Sequence, residues 1–387
     1  MIIVSAATQP TSPIRVGIVG AGQLARMMGE VAHDVGVTVT VLATSMDDAA
    51  VATCDAAIVG SPTDELALDD LARLDDVVTF DHELIDLDQI EDLEARGVAV
   101  RPSANALRFA VDKAYQRVAF ADAGIAVPRF LVVETSNDPA IAQFLNQVDA
   151  IVVKAARGGY DGRGVLFPTS HDEALTMIDE LATSSTVVLE ERLTLLGELA
   201  QIVVRSTSGE VVTYPLVSTV QANGMCVEVR FPAGVTNELA AEAQRIAQHI
   251  ADYVEAVGVV AIEFFHTDRG LLVNEIALRP HNSGHWTIEG AATSQFANHL
   301  RAVSGQPLGS AAATHRAAVM VNVVGADKPG SVDAARSIPH AFVHDYGKAW
   351  HPGRKLGHVT VVGDDAVLAH VTAWKSALAY GTNTREA

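Results

Sequence analysis

The segment Lys154-Ala155-Ala156-Arg157-Gly158-Gly159-Tyr160-Asp161-Gly162-Arg163-Gly164 places four glycines in seven positions, with two arginines inside it and a lysine at its head. Glycine lets successive backbone N–H groups form a concave nest for a polyphosphate and leaves a loop free to close over one. This is not the strand-to-helix turn of a P-loop, because no Gly-Lys-Ser/Thr follows and the residues beyond Gly164 continue as a strand. A plain hairpin tip is the alternative, yet a tip needs neither two arginines nor the pair Tyr160-Asp161. The segment is expected to be a sheet-borne nucleotide loop, mobile without nucleotide and ordered with it.

Further along, the apolar runs Val259 to Phe265 and Leu271 to Ile276 flank Asp268-Arg269-Gly270, read as a three-residue hairpin loop. A hairpin centred on Arg269 sets Glu263 opposite Glu275 on one face, with Cβ atoms roughly 5 Å apart. Two carboxylates so placed among Val, Ile and Phe repel unless a cation lies between them, and oxygen ligands suit Mg²⁺ shared with nucleotide phosphates. A bulge that turns one of the two to solvent is the alternative.

At the other end, a strand from Ile14 to Val19, the turn Gly20-Ala21-Gly22-Gln23-Leu24-Ala25, a helix to about Val35 and a strand from Val37 to Leu42 make a βαβ unit. Short runs at Ala56 to Val59, Val77 to Phe80 and Val98 to Arg101 extend it into a doubly wound α/β domain over residues 1–110. The glycine turn aims N–H groups at an anion. A nicotinamide dinucleotide would want an acid at the end of the second strand, where the chain has Leu42-Ala43-Thr44 and Asp47 comes too late. Another phosphate-bearing ligand, or packing alone, stays open. Strands at Arg129 to Val133, Ile151 to Lys154, Val187 to Glu190, Leu199 to Ser206, Val211 to Val217 and Met225 to Phe231 imply a large mixed or antiparallel region, with a helix from Asn237 to Val257. Shorter strands at Ala317 to Val324 and His358 to Val362 follow.

A chain of 387 residues exceeds what one core usually supports, so two or three units are expected. Its net charge of −20 repels phosphate backbones and anionic lipid, which argues against nucleic acid and membrane as partners and makes any cluster of cations informative. Two cysteines, Cys54 and Cys226, are too few for a disulfide framework and fit a cytoplasmic protein. Two donor clusters stand out: Arg279-Pro280-His281-Asn282-Ser283-Gly284-His285-Trp286, suited to a small oxyanion, and Lys348 with Arg354-Lys355, suited to a phosphate monoester. Solvated loops are the alternative for both.

In this order the motifs resemble the ATP-grasp superfamily and, within it, the 5-(carboxyamino)imidazole ribonucleotide synthases of purine biosynthesis, over most of the chain from Gly17 to about Thr360. The resemblance implies an α/β and α+β architecture: a doubly wound pre-ATP-grasp domain (1–110), an ATP-grasp domain (111–310) with a small lid at about 127–200, and a C-terminal part (311–387) that completes the mixed-sheet domain. It also implies that Lys113, Lys154, Gly159, Tyr160, Asp161, Gly162, Arg163, Gly164, Asn274 and Gln221 contact ATP. Glu190, Glu191 and Leu193 would form the adenine hinge and Glu198 would hold the ribose. Glu263 and Glu275 would bind Mg²⁺. Gly22, Gln23, Leu24, Glu83, Lys348, Arg354 and Lys355 would hold 5-aminoimidazole ribonucleotide (AIR), and Tyr160, Asp161, Arg279, His281, Asn282 and Ser283 would serve the transfer of bicarbonate carbon. Where the family often has Thr-Tyr-Glu-Phe-Glu, Asp-Arg, and Pro before the arginine, this chain has Thr79-Phe80-Asp81-His82-Glu83, Asp112-Lys113 and Leu278.

The implied reaction joins ATP, bicarbonate and AIR through carboxyphosphate, in a homodimer. Another ATP-grasp carboxylase or formate-using ligase shares the glycine loop and the acid pair. An NAD-dependent oxidoreductase is the rival of a different class.

Overall fold

The structure is a computed structural model that describes residues 13–158 and 164–383. Its first sheet is wholly parallel, in the order β3-β2-β1-β4: β1 (Ile14–Val19), β2 (Val37–Ala43), β3 (Ala56–Val59) and β4 (Val77–Phe80). The run Val98 to Arg101, expected as a further strand, contributes only a single parallel bridge between Val78 and Val100. Arg101 donates to Val78, and the next residue, Pro102, has no N–H with which to extend the ladder.

A second, antiparallel sheet of order β5-β8-β6-β7 forms a smaller unit from β5 (Phe130–Val133), β6 (Ile151–Ala155), β7 (Val165–Leu166) and β8 (Val187–Glu191). Helices Ala140–Leu145 and His171–Ala182 cover one side through Ile141, Phe144, Ala174 and Ile178.

The third sheet carries β9 (Gly197–Arg205), β10 (Val211–Thr213), β11 (Val217–Ala222), β12 (Met225–Phe231), β13 (Gly258–Thr267), β14 (Gly270–Ala277), β15 (Ala317–Val324), β16 (Phe342–Asp345) and β17 (Lys355–Gly363). Its order is β14-β13-β9-β11-β12-β15-β17-β16, with β10 paired to β9, so the strands after residue 310 continue the same sheet. The expected single strand Val211 to Val217 is two strands, because Pro215 between them cannot donate to a ladder. The expected helix from Asn237 ends at Val254, where Glu255 turns left-handed at φ 56°. Helices Gln295–Val303 and Ala366–Tyr380 had no counterpart in the sequence reading.

One apolar cluster joins the two larger units. Val19, Leu42 and Phe80 of the parallel sheet share it with Leu199, Ile262 and Phe264 of the large sheet. That shared core fixes the glycine turn of one unit against the acid pair of the other.

Candidate functional site

Glu263 and Glu275 do face each other across β13 and β14, but by a different route from the one expected. The loop has two residues, Asp268 and Arg269, because Thr267 pairs with Gly270. That register runs as far as Phe264 opposite Val273 and, if continued, would set Ile262 against Glu275. Asn274 is inserted as a bulge, and the extra residue turns Glu275 onto the face of Glu263. The bulge carbonyl is captured by the guanidinium of Arg117. Burial, together with the neighbouring charge of Glu275, pushes Glu263 up to about 8. Burial acts on Glu275 in the same sense, but Lys113 at 3.3 Å and Lys154 outweigh it and hold Glu275 below the usual carboxylate range. Among the described residues no group of three or more His, Cys, Asp or Glu could hold a metal by itself. Two facing carboxylates, whose mutual repulsion a cation between them would relieve, fit an ion such as Mg²⁺ whose remaining ligands are phosphate oxygens and water.

A cavity of about 470 Å³ opens beside the pair. Lys113, Lys154, Glu190, Glu191, Leu193, Glu198 and Gln221 line it, with Glu263, Asn274 and Glu275 across from them. Its floor is a buried charge triad. Glu190, 2% exposed, receives Lys154 at 2.6 Å and Arg117 at 2.7 Å. Burial would raise this carboxyl, yet the two cations hold it down to about 2. The Glu191 carboxylate is taken by Arg269 at 2.7 Å and by the Arg129 N–H at 2.8 Å, so a hinge contact at this residue falls to its main chain. Glu198 is free of such partners among the described hydrogen bonds, and burial with the nearby charge of Glu275 pushes it up to about 6. Gly164 sits at φ 73° and accepts from Ala155 at the root of the glycine loop. Gly159, Tyr160, Asp161, Gly162 and Arg163 lie outside the described residues.

A second cavity, about 690 Å³, gathers Gly22, Gln23, Leu24 and Glu83 from the first unit with Lys348, Arg354 and Lys355 from the end of the chain. Lys348 Nζ donates to Gln23 Oε1 at 2.7 Å, and Arg279 pairs with Glu83 at 2.7 Å. The turn itself does not receive a dinucleotide: Asp81 fills its hollow and accepts from the Gly22 N–H at 2.6 Å. A Cβ at Gly20, whose φ is 106°, would lie 1.9 Å from Asp81 Oδ1, so the first glycine makes room for this carboxylate rather than for a pyrophosphate.

The two cavities meet. Lys113, Glu275, His281 and Lys355 line both. Arg279 faces the second cavity and Asn282 the first. Ser283 faces neither; it is buried and its hydroxyl lies 2.9 Å from His281 Nδ1. Two residues that the motifs did not reveal are Arg117 and Asn322. Asn322 exchanges hydrogen bonds with the side-chain amide of Asn282 at 2.9 and 2.7 Å. It is the lone polar residue in the run Ala317–Val324, a signal the sequence did carry. Arg117 lies in an ordinary amphipathic helix and left none.

The ATP-grasp domain family matches residues 118–296, the ribonucleotide synthetase preATP-grasp domain residues 14–111, and the phosphoribosylaminoimidazole carboxylase C-terminal domain residues 318–374. The fold and the cavity lined by lysines and glutamates are thus those of an ATP-grasp protein. N5-carboxyaminoimidazole ribonucleotide synthase of Mycobacterium tuberculosis is 46% identical over 361 residues, covering 90% of this chain and 84% of its own, and that of Corynebacterium ammoniagenes is 38% identical over 372 residues, covering 92% and 89%. The Aspergillus clavatus N5-carboxyaminoimidazole synthase, solved with ADP and 5-aminoimidazole ribonucleotide, superposes with a TM-score of 0.86 at 31% identity, over 95% of this chain and 99% of its own. The chain belongs to the N5-carboxyaminoimidazole ribonucleotide synthase family.

Proposed function

We infer that the chain is an ATP-dependent carbon–nitrogen ligase that carboxylates AIR to N5-carboxyaminoimidazole ribonucleotide in purine biosynthesis. The observation that carries this reading is the junction of the two cavities at Lys113, Glu275, His281 and Lys355. One cavity has the lysines and acids for a nucleoside triphosphate, and the other has cations and a glycine turn for a phosphorylated amine. Only at their meeting point can an ATP-derived phosphoryl group and that amine share a reaction centre. The A. clavatus synthase, solved with ADP and AIR, supports the same pair of ligands here.

Bicarbonate is the third substrate in this reading. Its oxygen attacks the γ-phosphorus, the bond to ADP breaks, and carboxyphosphate forms. The AIR amine then takes up the carboxyl carbon, directly or as released CO₂, with loss of phosphate and a proton. Lys113 and Lys154 offset the phosphate charge, and Arg279, His281 and Asn282 surround the carboxyl group. Lys348 and Arg354 hold the AIR phosphate. Closure around this junction excludes water from an intermediate that water destroys. Glu263 and Glu275 would hold Mg²⁺, which when bound supplies charge neutralisation at the phosphates. The division at residues 110 and 310, a cytoplasmic location and a homodimer complete the proposal; none of the described helices is long and apolar enough to cross a membrane.

Phosphate release from ATP tests the reading. It is expected to need both AIR and bicarbonate for its full rate, and release indifferent to AIR would reject it. Light scattering at micromolar protein tests the homodimer.

A further inference from the structure

Gln295 opens the helix Gln295–Val303, is fully buried, and lines neither cavity. Its side-chain amide engages both main-chain groups of His281: Oε1 accepts from the His281 N–H at 2.9 Å and Nε2 donates to the His281 carbonyl at 2.7 Å. Nε2 also donates to His285 Nδ1 at 3.2 Å; burial keeps that ring neutral and so able to accept. The amide therefore does for one residue what a neighbouring strand does for a ladder.

The surroundings leave it one position. The Gln295 N–H donates to the Thr287 hydroxyl at 2.9 Å, and that hydroxyl donates to the Gly284 carbonyl at 2.6 Å. A Cβ on Gly284 would lie 2.4 Å from Gln295 Oε1, so only glycine lets the amide reach His281. On the far side of the imidazole the Ser283 N–H donates to His281 Nδ1 at 3.3 Å. With Nδ1 accepting from that N–H, Nε2 is the ring nitrogen left to carry hydrogen, and it lies 3.7 Å from Glu263.

We propose that Gln295 is a positioning residue for the transfer step, clamping the His281 backbone so that the imidazole presents its Nε2 hydrogen to the junction of the two cavities. The proposal rests on the reading of that junction as the reaction centre. It adds a residue on a separate helix to the machinery, without contact to either ligand.

Two measurements test it. Long-range ¹H–¹⁵N spectra of the wild-type enzyme, with the His281 ring assigned from a His281→Asn sample, are expected to show hydrogen on Nε2; hydrogen on Nδ1 overturns the proposal without any substrate being added. In steady-state kinetics, Gln295→Leu is expected to lower kcat roughly 10- to 100-fold, the scale of a misplaced reacting group, with KM for ATP within about twofold. Gln295→Glu, which keeps the acceptor and loses the donor, should fall between. A Gln295→Leu enzyme that melts lower but keeps the wild-type kcat overturns the proposal, as does an equal rise in KM for ATP. If Gln295→Leu does not fold, the wild-type spectrum and Gln295→Glu still decide it. Failure of AIR to stimulate phosphate release by the wild type would instead reject the functional reading, leaving the ring assignment intact.

Discussion

The two cavities are built on opposite principles. The nucleotide side is held by charges already paired: Glu190, buried between Lys154 and Arg117, and the part-buried Glu275 beside Lys113. The side proposed for AIR is assembled from segments more than 300 residues apart, and Arg354 at its rim is exposed, its guanidinium meeting only the Ala349 carbonyl among the described hydrogen bonds. A buried network cannot lose one member without stranding another, whereas a solvated cation can be removed at little cost to the fold. Substitutions within the paired network of the nucleotide side should therefore damage stability together with function, and those on the AIR side function alone.

The largest expected effect is at Arg117. Arg117→Met strands one side of the Glu190 carboxylate and frees the Asn274 bulge carbonyl, and breaking a buried pair in this way costs about 3 to 5 kcal/mol. Denaturant unfolding should record that loss along with weaker ATP binding. Unchanged stability would erase the contrast between the two sides.

Glu275→Gln comes next. It removes one of the two facing carboxylates and the partner of Lys113, so Mg²⁺-dependent turnover should fall roughly 100-fold or more, about 2.7 kcal/mol in the barrier, in a folded protein. Near-normal activity at ordinary Mg²⁺ would remove the acid pair from the site. Arg354→Ala should raise KM for AIR roughly 10- to 150-fold, the worth of a charge-assisted hydrogen bond of about 1.5 to 3 kcal/mol, with unfolding unaltered. A defect selective for ATP would reassign that arginine to the nucleotide.

The contrast also explains what could be read in advance. The glycine turn, the glycine loop and the cation patch are local in sequence, so their residue types mark them, and Gly22, Lys154 and Arg354 do line the two cavities. The acid pair was legible for an incomplete reason: a loop one residue shorter than expected and a bulge one residue long cancel, so the opposition of Glu263 and Glu275 stands while the loop does not. Pro215 was visible in the sequence as a strand breaker and would have divided Val211 to Val217. Arg117 and Gln295 were not legible. Each meets a main-chain carbonyl or amide, Arg117 that of Asn274, 157 residues on, and Gln295 those of His281, 14 residues back, and such a partner has no residue type to recognise.

The smallest expected effect separates the two sides by pH. Glu198 is pushed up to about 6 from an ordinary 4.5, first by burial and then by Glu275. Below about pH 4.5 the carboxyl is protonated whether the chain is folded or not and contributes nothing. Between 4.5 and 6 the folded state holds a proton that the unfolded state has released, so stability declines as pH rises through this window. Above 6 the full penalty is present, about 1 to 2 kcal/mol at 1.36 kcal/mol per unit. Glu198→Gln should therefore stabilise the enzyme at pH 8 in the absence of Mg²⁺ and nucleotide, with the advantage shrinking towards pH 4.5, while its KM for ATP rises because the ribose loses a charged acceptor. Urea unfolding at pH 8 and pH 5 measures the first effect and steady-state kinetics the second. A variant less stable than wild type at pH 8 would mean that this carboxylate, like Glu190, belongs to a paired network, and the nucleotide side would then hold no charge in reserve for its ligand.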